Sequence, residues 1–287
     1  MSDTQGSLPA LLIEPLVRAA LAEDLAPNGD ITTDSVIPLG TLARGRIVAR
    51  RGGRIAGLDL VRVTFAVLDP SLRLAFAARD GADVADDTML VTVEGNARSI
   101  LQGERVALNY LGHLCGIATA TARCVAAAAG TRAKICCTRK TTPGLRALQK
   151  YAVRVGGGSN HRFGLSDAVL IKDNHIAVAG GIAPAVARAK ARAGHMVKIE
   201  VEIDALSQLD EALAAKADVI MLDNMSLADM KTAVDKVAGR AILEASGGVT
   251  EARVAEIAAT GVDLISIGWI THSAPNLDVA LDIDVVM

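Results

Sequence analysis

Three groups of residues in this chain carry chemistry in their types and spacing. The first is basic: Thr138-Arg139-Lys140, then His161-Arg162 after a glycine run, then Lys172. Arginine forks match carboxylates in pairs and lysine adds a mobile point charge, so the set suits a ligand with several carboxylates or phosphates. Any one of these residues alone reads as a solvated surface charge; several at successive strand ends do not. The second group is acidic, Glu202 and Asp223. Their hard oxygens beside phosphate-seeking lysines suit Mg²⁺, which keeps several waters and bridges to substrate phosphates, although both could equally be ion-pair partners of the basic group. The third is glycine-rich: Ser246-Gly247-Gly248, and Ile267-Gly268 leading to His272. Glycines let backbone amides approach a phosphate, and late barrel loops beside a helix N-terminus are common phosphate cradles.

Other residues weigh less. A lone histidine is more often structural than catalytic, but His161 adjoins Arg162 and follows Gly156-Gly157-Gly158, a run that shapes a loop. His175 supports the loop after Lys172, and Trp269 is a packing residue.

The elements that must position these groups follow from the apolar pattern. Buried strands are expected at 134–137, 168–171, 197–201, 219–222, 242–245 and 264–267, with helices at 206–215, 227–237 and 251–259. Short strand–helix units are the economy of parallel strands joined by helical crossovers. Each strand is followed by a useful group, and in a barrel those C-terminal ends form one rim; a doubly wound sheet would also place its site there. Upstream, a helix is expected over 14–25 and short strands at 46–50, 72–77 and 90–95, forming a small α/β domain. Long helices fill 99–129, with a boundary near Gly112 to Gly116.

Composition narrows the classes. Hydrophobic residues make up 51% and aromatics 2% of 287 residues, so the core is built from Ala, Val, Leu and Ile. Lys and Arg total 30 against 32 Asp and Glu, which excludes a global basic field for nucleic acid. Cys115, Cys124, Cys136 and Cys137 lack zinc or redox spacing and read as small apolar fillers in a reducing compartment. No signal peptide and no apolar run of roughly 20 residues is present, which places the protein in the cytoplasm with no membrane partner.

Taken together, Glu23-Asp24-Leu25, Gly29-Asp30-Ile31-Thr32, Gly103-Glu104-Arg105, the 138–146 run, Lys150-Tyr151-Ala152-Val153-Arg154, 156–162, 170–175, Glu200-Val201-Glu202, Met221-Leu222-Asp223-Asn224, Ser246-Gly247-Gly248 and Thr271-His272-Ser273 resemble the quinolinate phosphoribosyltransferase family of NAD biosynthesis. They run in order over almost the whole chain. The resemblance implies an incomplete TIM-like α/β barrel over 115–273. It also implies an N-terminal α/β sandwich domain over 1–114, completed by the tail 274–287. It implies a homodimer in which Arg105 reaches the neighbouring subunit's site, with quinolinate, phosphoribosyl pyrophosphate and Mg²⁺ as ligands. By the same carry-over Arg105, Arg139, His161, Arg162 and Lys172 hold the two carboxylates. Lys140, Glu202, Asp223, Ser246, Gly247, Gly248, Gly268 and His272 serve the sugar donor, Thr138 and Ile267 bind substrate, Glu202 and Asp223 hold the metal, and Lys140, Glu202 and Asp223 act at the chemistry. Departures are Cys136 and Cys137, where an acidic residue is frequent, and Trp269, where a small residue is usual. Two rivals remain: a relative found with molybdate transport systems that uses another aromatic acid, and a barrel that binds a phosphorylated metabolite without turning it over.

Overall fold

The computed structural model describes residues 8–286. In the first part of the chain, helices α1 (Ala10–Leu25) and α2 (Ile31–Val36) precede strands β1 (Leu42–Ala49) and β2 (Gly53–Arg54) and helix α3 (Leu58–Leu68). Strands β3 (Arg73–Phe76), β4 (Asp83–Val84) and β5 (Thr88–Asn96) then lead into the 31-residue helix α4 (Ala97–Ala127). Strand β6 (Lys134–Cys136) and helix α5 (Arg146–Val155) follow, then β7 (Val169–Ile171), α6 (Asp173–Ala179), α7 (Ile182–Arg192), β8 (Ile199–Ile203) and α8 (Leu209–Ala214). The chain continues through β9 (Val219–Asp223), α9 (Leu227–Val237), β10 (Ile242–Ser246), α10 (Val254–Ala259), β11 (Leu264–Ser266), the single turn α11 (Trp269–His272) and β12 (Val279–Val285). Among the described residues no helix is long and apolar enough to cross a membrane.

Two compact units divide the chain, the division falling within α4 after Ala120. The first unit also takes in Ala147–Gly157 and the segment from Ser273. It contains an antiparallel four-stranded sheet in the order β12-β1-β5-β3. Ile47, Val91, Val93 and Leu90 from this sheet pack with Phe65 of α3 and Ile100 and Leu111 of α4, all fully buried. Helix α3 begins where Asp80 accepts the Gly57 and Leu58 main-chain N–H groups at 2.7 and 3.2 Å, and Tyr151 Oη–H donates to the same carboxylate at 2.6 Å. One acid thus caps a helix and anchors α5.

Helix α1 starts earlier than the expected 14–25 and carries Pro15 inside it. Pro15 is exposed, so the carbonyl it leaves without a helical donor faces water. Gly112 and Gly116, which punctuate the 99–129 stretch, sit inside one unbroken helix. Both allow the tail to lie against α4: a Cβ on Gly112 would come to 2.9 Å from the Leu277 carbonyl oxygen, and one on Gly116 to 2.2 Å from that of Pro275.

The second unit holds a parallel six-stranded sheet in the order β6-β11-β10-β9-β8-β7. Strands consecutive in sequence, β6 and β7, lie at its opposite ends, so this is an incomplete barrel. The free edge of β6 is occupied instead by the segment after the glycine run. Cys136 and Ser159 form a parallel bridge, Ser159 N–H donates to the Ile135 carbonyl at 2.7 Å, and Cys137 N–H to that of Ser159 at 3.1 Å. The expected strands and helices of this half all appear, with ends shifted by a residue or two and with 206–208 and 251–253 tightened to 3₁₀ turns.

Because the atoms a Gly116 side chain would meet are backbone, Gly116→Ala should destabilise the protein by about 2 kcal/mol or more, read as a lower midpoint in urea unfolding with unchanged slope.

Candidate active site

Side chains alternate faces along a strand, so residues two apart share a face. On one face of the six-stranded sheet this gives Leu170 and Lys172, Glu200 and Glu202, Met221 and Asp223, Glu244 and Ser246, and Ser266 with Gly268. Most of these line one cavity of ≈ 560 Å³, together with Thr138, Arg139, Lys140, His161, Arg162, Asn224, Gly247 and Gly248. Eleven of the sequence-derived positions are therefore brought together: Thr138, Arg139, Lys140, His161, Arg162, Lys172, Glu202, Asp223, Ser246, Gly247 and Gly248.

The basic side comes from two loops beside β6. Thr138 Oγ1 accepts the Lys140 N–H at 3.0 Å and closes a tight turn that projects Arg139 and Lys140. Arg146 braces this turn against the 158–167 segment, donating to Thr141 Oγ1 at 3.0 Å and to the Phe163 carbonyl at 3.1 Å. Asp167 fixes the next turn by accepting the Phe163 and Gly164 amides at 2.5 and 2.7 Å. Arg162 Nη1 donates to the Ala168 carbonyl at 3.0 Å, while the Nε atoms of Arg139 and Arg162 are buried with no hydrogen-bond partner. Burial, and then the nearby Arg139 charge, pull the Arg162 guanidinium below its ordinary value. Such crowded, underused donors have the chemistry to receive anions.

On the acidic side, Lys172 donates to Glu202, and Asn224 Nδ2 donates to Asp223 Oδ2 at 2.9 Å. Glu202 and Asp223 lie near the ends of the adjacent strands β8 and β9, where two hard carboxylates suit a divalent cation. Asn224 itself is in the left-handed region at φ 54°, and its side chain lies where a Cβ on Gly247 would be, 2.3 Å away. Gly247 is therefore dictated by Asn224, a residue the sequence reading did not single out. Its neighbour Gly248 is also left-handed, φ 56°.

Four of the expected residues stand apart from the lining. Ile267 is 1% exposed and serves the core, its N–H donating to the Cys136 carbonyl at 2.9 Å. Gly268 provides space: a Cβ there would lie 3.1 Å from Lys140 Cδ and 3.4 Å from His272 Nε2. The helix after it is a single turn, whose Thr271 Oγ1 donates to the Lys140 carbonyl at 2.8 Å. Arg105 is on α4, its side chain 64% exposed, with Glu104 as an ion-pair partner at 3.9 Å. The sequence reading also gave no role to Glu200 and Glu244. Both sit one alternation below residues it did single out, and that period-two step is the signal that finds them.

Residues 30–115 match the N-terminal domain, and residues 117–282 the C-terminal domain, of quinolinate phosphoribosyl transferase. The nicotinate-nucleotide pyrophosphorylase [carboxylating] of Mycobacterium leprae is 46% identical over 275 residues, covering 93% of this chain and 95% of that protein. Quinolinate phosphoribosyltransferase [decarboxylating] 1 of Nicotiana glauca is 38% identical, covering 98% of this chain and 88% of that one. The solved nicotinate-nucleotide pyrophosphorylase of Francisella tularensis superposes with a TM-score of 0.94 at 40% identity, over 99% of this chain and all of that one.

Beneath the cations, His161 Nε2 lies 2.9 Å from Glu200 Oε2 and 3.6 Å from Glu244 Oε1. Burial first, and then the Glu200 charge, push the Glu244 carboxyl from its ordinary 4.5 up to about 7, with His161 opposing. A carboxyl raised on folding contributes stability fully below its unfolded value and loses it as pH rises through the folded value. Glu244→Gln should therefore gain stability relative to wild type as pH rises from about 4.5 to about 7, measured by thermal unfolding across that range. A pH-independent difference between the two proteins would show that Glu244 holds no extra proton in the folded state.

Proposed function

The chain belongs to the quinolinate phosphoribosyl transferase family, and from that membership and the cavity's chemistry we propose how its residues divide the work. The reaction joins quinolinate to phosphoribosyl pyrophosphate, giving nicotinate mononucleotide, pyrophosphate and CO₂. The observation that carries the assignment is one cavity containing Arg139, Lys140, Arg162 and Lys172 together with Glu202 and Asp223. Quinolinate's two carboxylates take Arg139, Arg162 and Lys172, Lys172 exchanging its bond to Glu202 for one to the substrate. This clamp aims the pyridine nitrogen at the anomeric carbon and supplies the entropic advantage of a fixed geometry. Lys140 lies against the pyrophosphate, and Ser246 with the Gly247 and Gly248 backbone receives phosphate oxygens.

The nitrogen lone pair forms the new bond to the anomeric carbon as the bond to pyrophosphate breaks, so no protein nucleophile is needed. Glu202 and Asp223 set negative charge beside the positive charge that develops on the sugar. The same two carboxylates would hold Mg²⁺, which when bound neutralises charge on the leaving pyrophosphate. With its nitrogen quaternised, the ring becomes an electron sink. The bond to the adjacent carboxylate then breaks, CO₂ leaves, and the electron pair left on the ring carbon takes up a proton.

The four cysteines, all buried and none in a disulfide, fit a reducing cytoplasm. Arg105 does not line the cavity, and the assignment of a homodimer in which it completes the partner subunit's carboxylate clamp accounts for its exposed position.

Purified protein given phosphoribosyl pyrophosphate and Mg²⁺ should release pyrophosphate and CO₂ with quinolinate but not with nicotinate. Arg139→Ala should raise the KM for quinolinate at least on the order of tenfold, since losing one partner of a desolvated charge pair costs about 2–5 kcal/mol, and leave that for the sugar donor nearly unchanged. Equal losses for both substrates would sink the clamp assignment. Mixing Arg105→Ala with Glu202→Ala subunits should restore activity in mixed dimers, and verified heterodimers with no recovery would remove Arg105 from the neighbouring site.

A further inference from the structure

His161 is expected to grip a substrate carboxylate, but its hydrogen bonds leave its ring no donor for that task. The Arg162 main-chain N–H donates to His161 Nδ1 at 2.8 Å. That nitrogen is therefore the bare one, and the ring proton sits on Nε2, where it donates to Glu200 Oε2 at 2.9 Å. Glu200 and Glu244 are 6% and 1% exposed, and one oxygen of each, Oε1, is buried with no hydrogen-bond partner. The ligand atoms of these three side chains all lie within 4.8 Å of one another, close enough to surround a metal ion. A metal at Nε2 would need the lone pair that the ring proton occupies. Moving that proton to Nδ1 would set it against the Arg162 amide N–H. The cluster is built for protons, not a cation.

We propose that Glu200, backed by Glu244, is a positioning residue for recognition of the aromatic acid. Glu200 fixes His161 as the Nε2–H tautomer, and His161 Nδ1 in turn pins the Arg162 backbone, so that the Arg162 guanidinium is presented to a substrate carboxylate. His161 acts on the substrate through Arg162, without touching it. The chain of contacts crosses the barrel interior from β8 to the segment that lies along β6. It also places negative charge under Arg162, where burial and Arg139 both oppose that residue's positive charge. This reading rests on the proposed function, in which a carboxylate of quinolinate pairs with Arg162.

The test has two arms. In steady-state kinetics, Glu200→Ala should raise the KM for quinolinate on the order of tenfold, the size of one lost charge-assisted hydrogen bond, with the KM for phosphoribosyl pyrophosphate within about twofold. Glu200→Gln, which keeps an acceptor for Nε2–H, should restore most of the loss. Matching losses for both substrates in a folded Glu200→Ala protein, or no rescue by glutamine, would overturn the proposal. The second arm uses ¹⁵N-histidine NMR of the wild-type protein, with His161→Gln identifying the signal. His161 should be the neutral Nε2–H tautomer with and without quinolinate. A ring protonated on both nitrogens when quinolinate is bound would mean a direct clamp and end the proposal. Wild-type protein inactive with quinolinate would count against the activity itself, a result the NMR arm on the protein alone keeps separate from the tautomer.

Discussion

Like charges in a confined space are the constraint around which the catalytic unit is organised. Arg139, Lys140, Arg162 and Lys172 share one cavity, and two of the guanidinium groups have a buried Nε with no partner. Burying such groups costs free energy unless something opposite compensates. Here the compensation comes from the barrel strands, with Glu202 against Lys172 and with Glu200 below His161 and Arg162. The site is thus electrostatically balanced in part by its own acids, and a multiply anionic ligand completes the balance.

The incomplete barrel makes this arrangement possible. A closed barrel would pair β6 with another strand; here the stretch after Gly156-Gly157-Gly158 takes that edge through the Cys136–Ser159 bridge. His161 and Arg162 are therefore delivered by irregular backbone into a position that a regular strand would fill with alternating side chains. The bracing falls to single residues: Arg146 across the two loops and Asp167 under the turn that follows. Binding groups on loops held by a rigid sheet are a common solution to the need for both reach and precision.

Most of this was legible before any coordinates. The apolar runs gave the six parallel strands, and the polar residue after each gave the rim, because burial and strand periodicity are local properties of sequence. Glu200 and Glu244 escaped because a charged residue within an apolar run reads as an interruption until the face it shares with Glu202 or Ser246 is known. Asn224 escaped because its role is a backbone conformation that only makes sense against Gly247. Ile267 is carried over to the substrate by resemblance, and its burial, 1% exposed, follows from strand alternation, which carries its side chain into the core. Gly112 and Gly116 read as marking a domain boundary; the room they make for the Leu277 and Pro275 carbonyls was not legible, because it depends on a segment far along the chain.

That distant segment has a bearing on how the protein is made. Strand β12 is an integral member of the first unit's sheet, with seven residues paired against β1, and the Arg50–Asp282 bond joins residues 232 apart. On a ribosome, β1 and β5 emerge long before their neighbour exists, and β1 is left with an open edge of unpaired N–H and C=O groups while the whole barrel is synthesised. The barrel, whose strands are contiguous in sequence apart from α5, can reach its native pairing first. Vectorial synthesis thus inverts the order in which the two units can finish, and leaves the earlier-translated one exposed to edge-to-edge association until β12 has emerged.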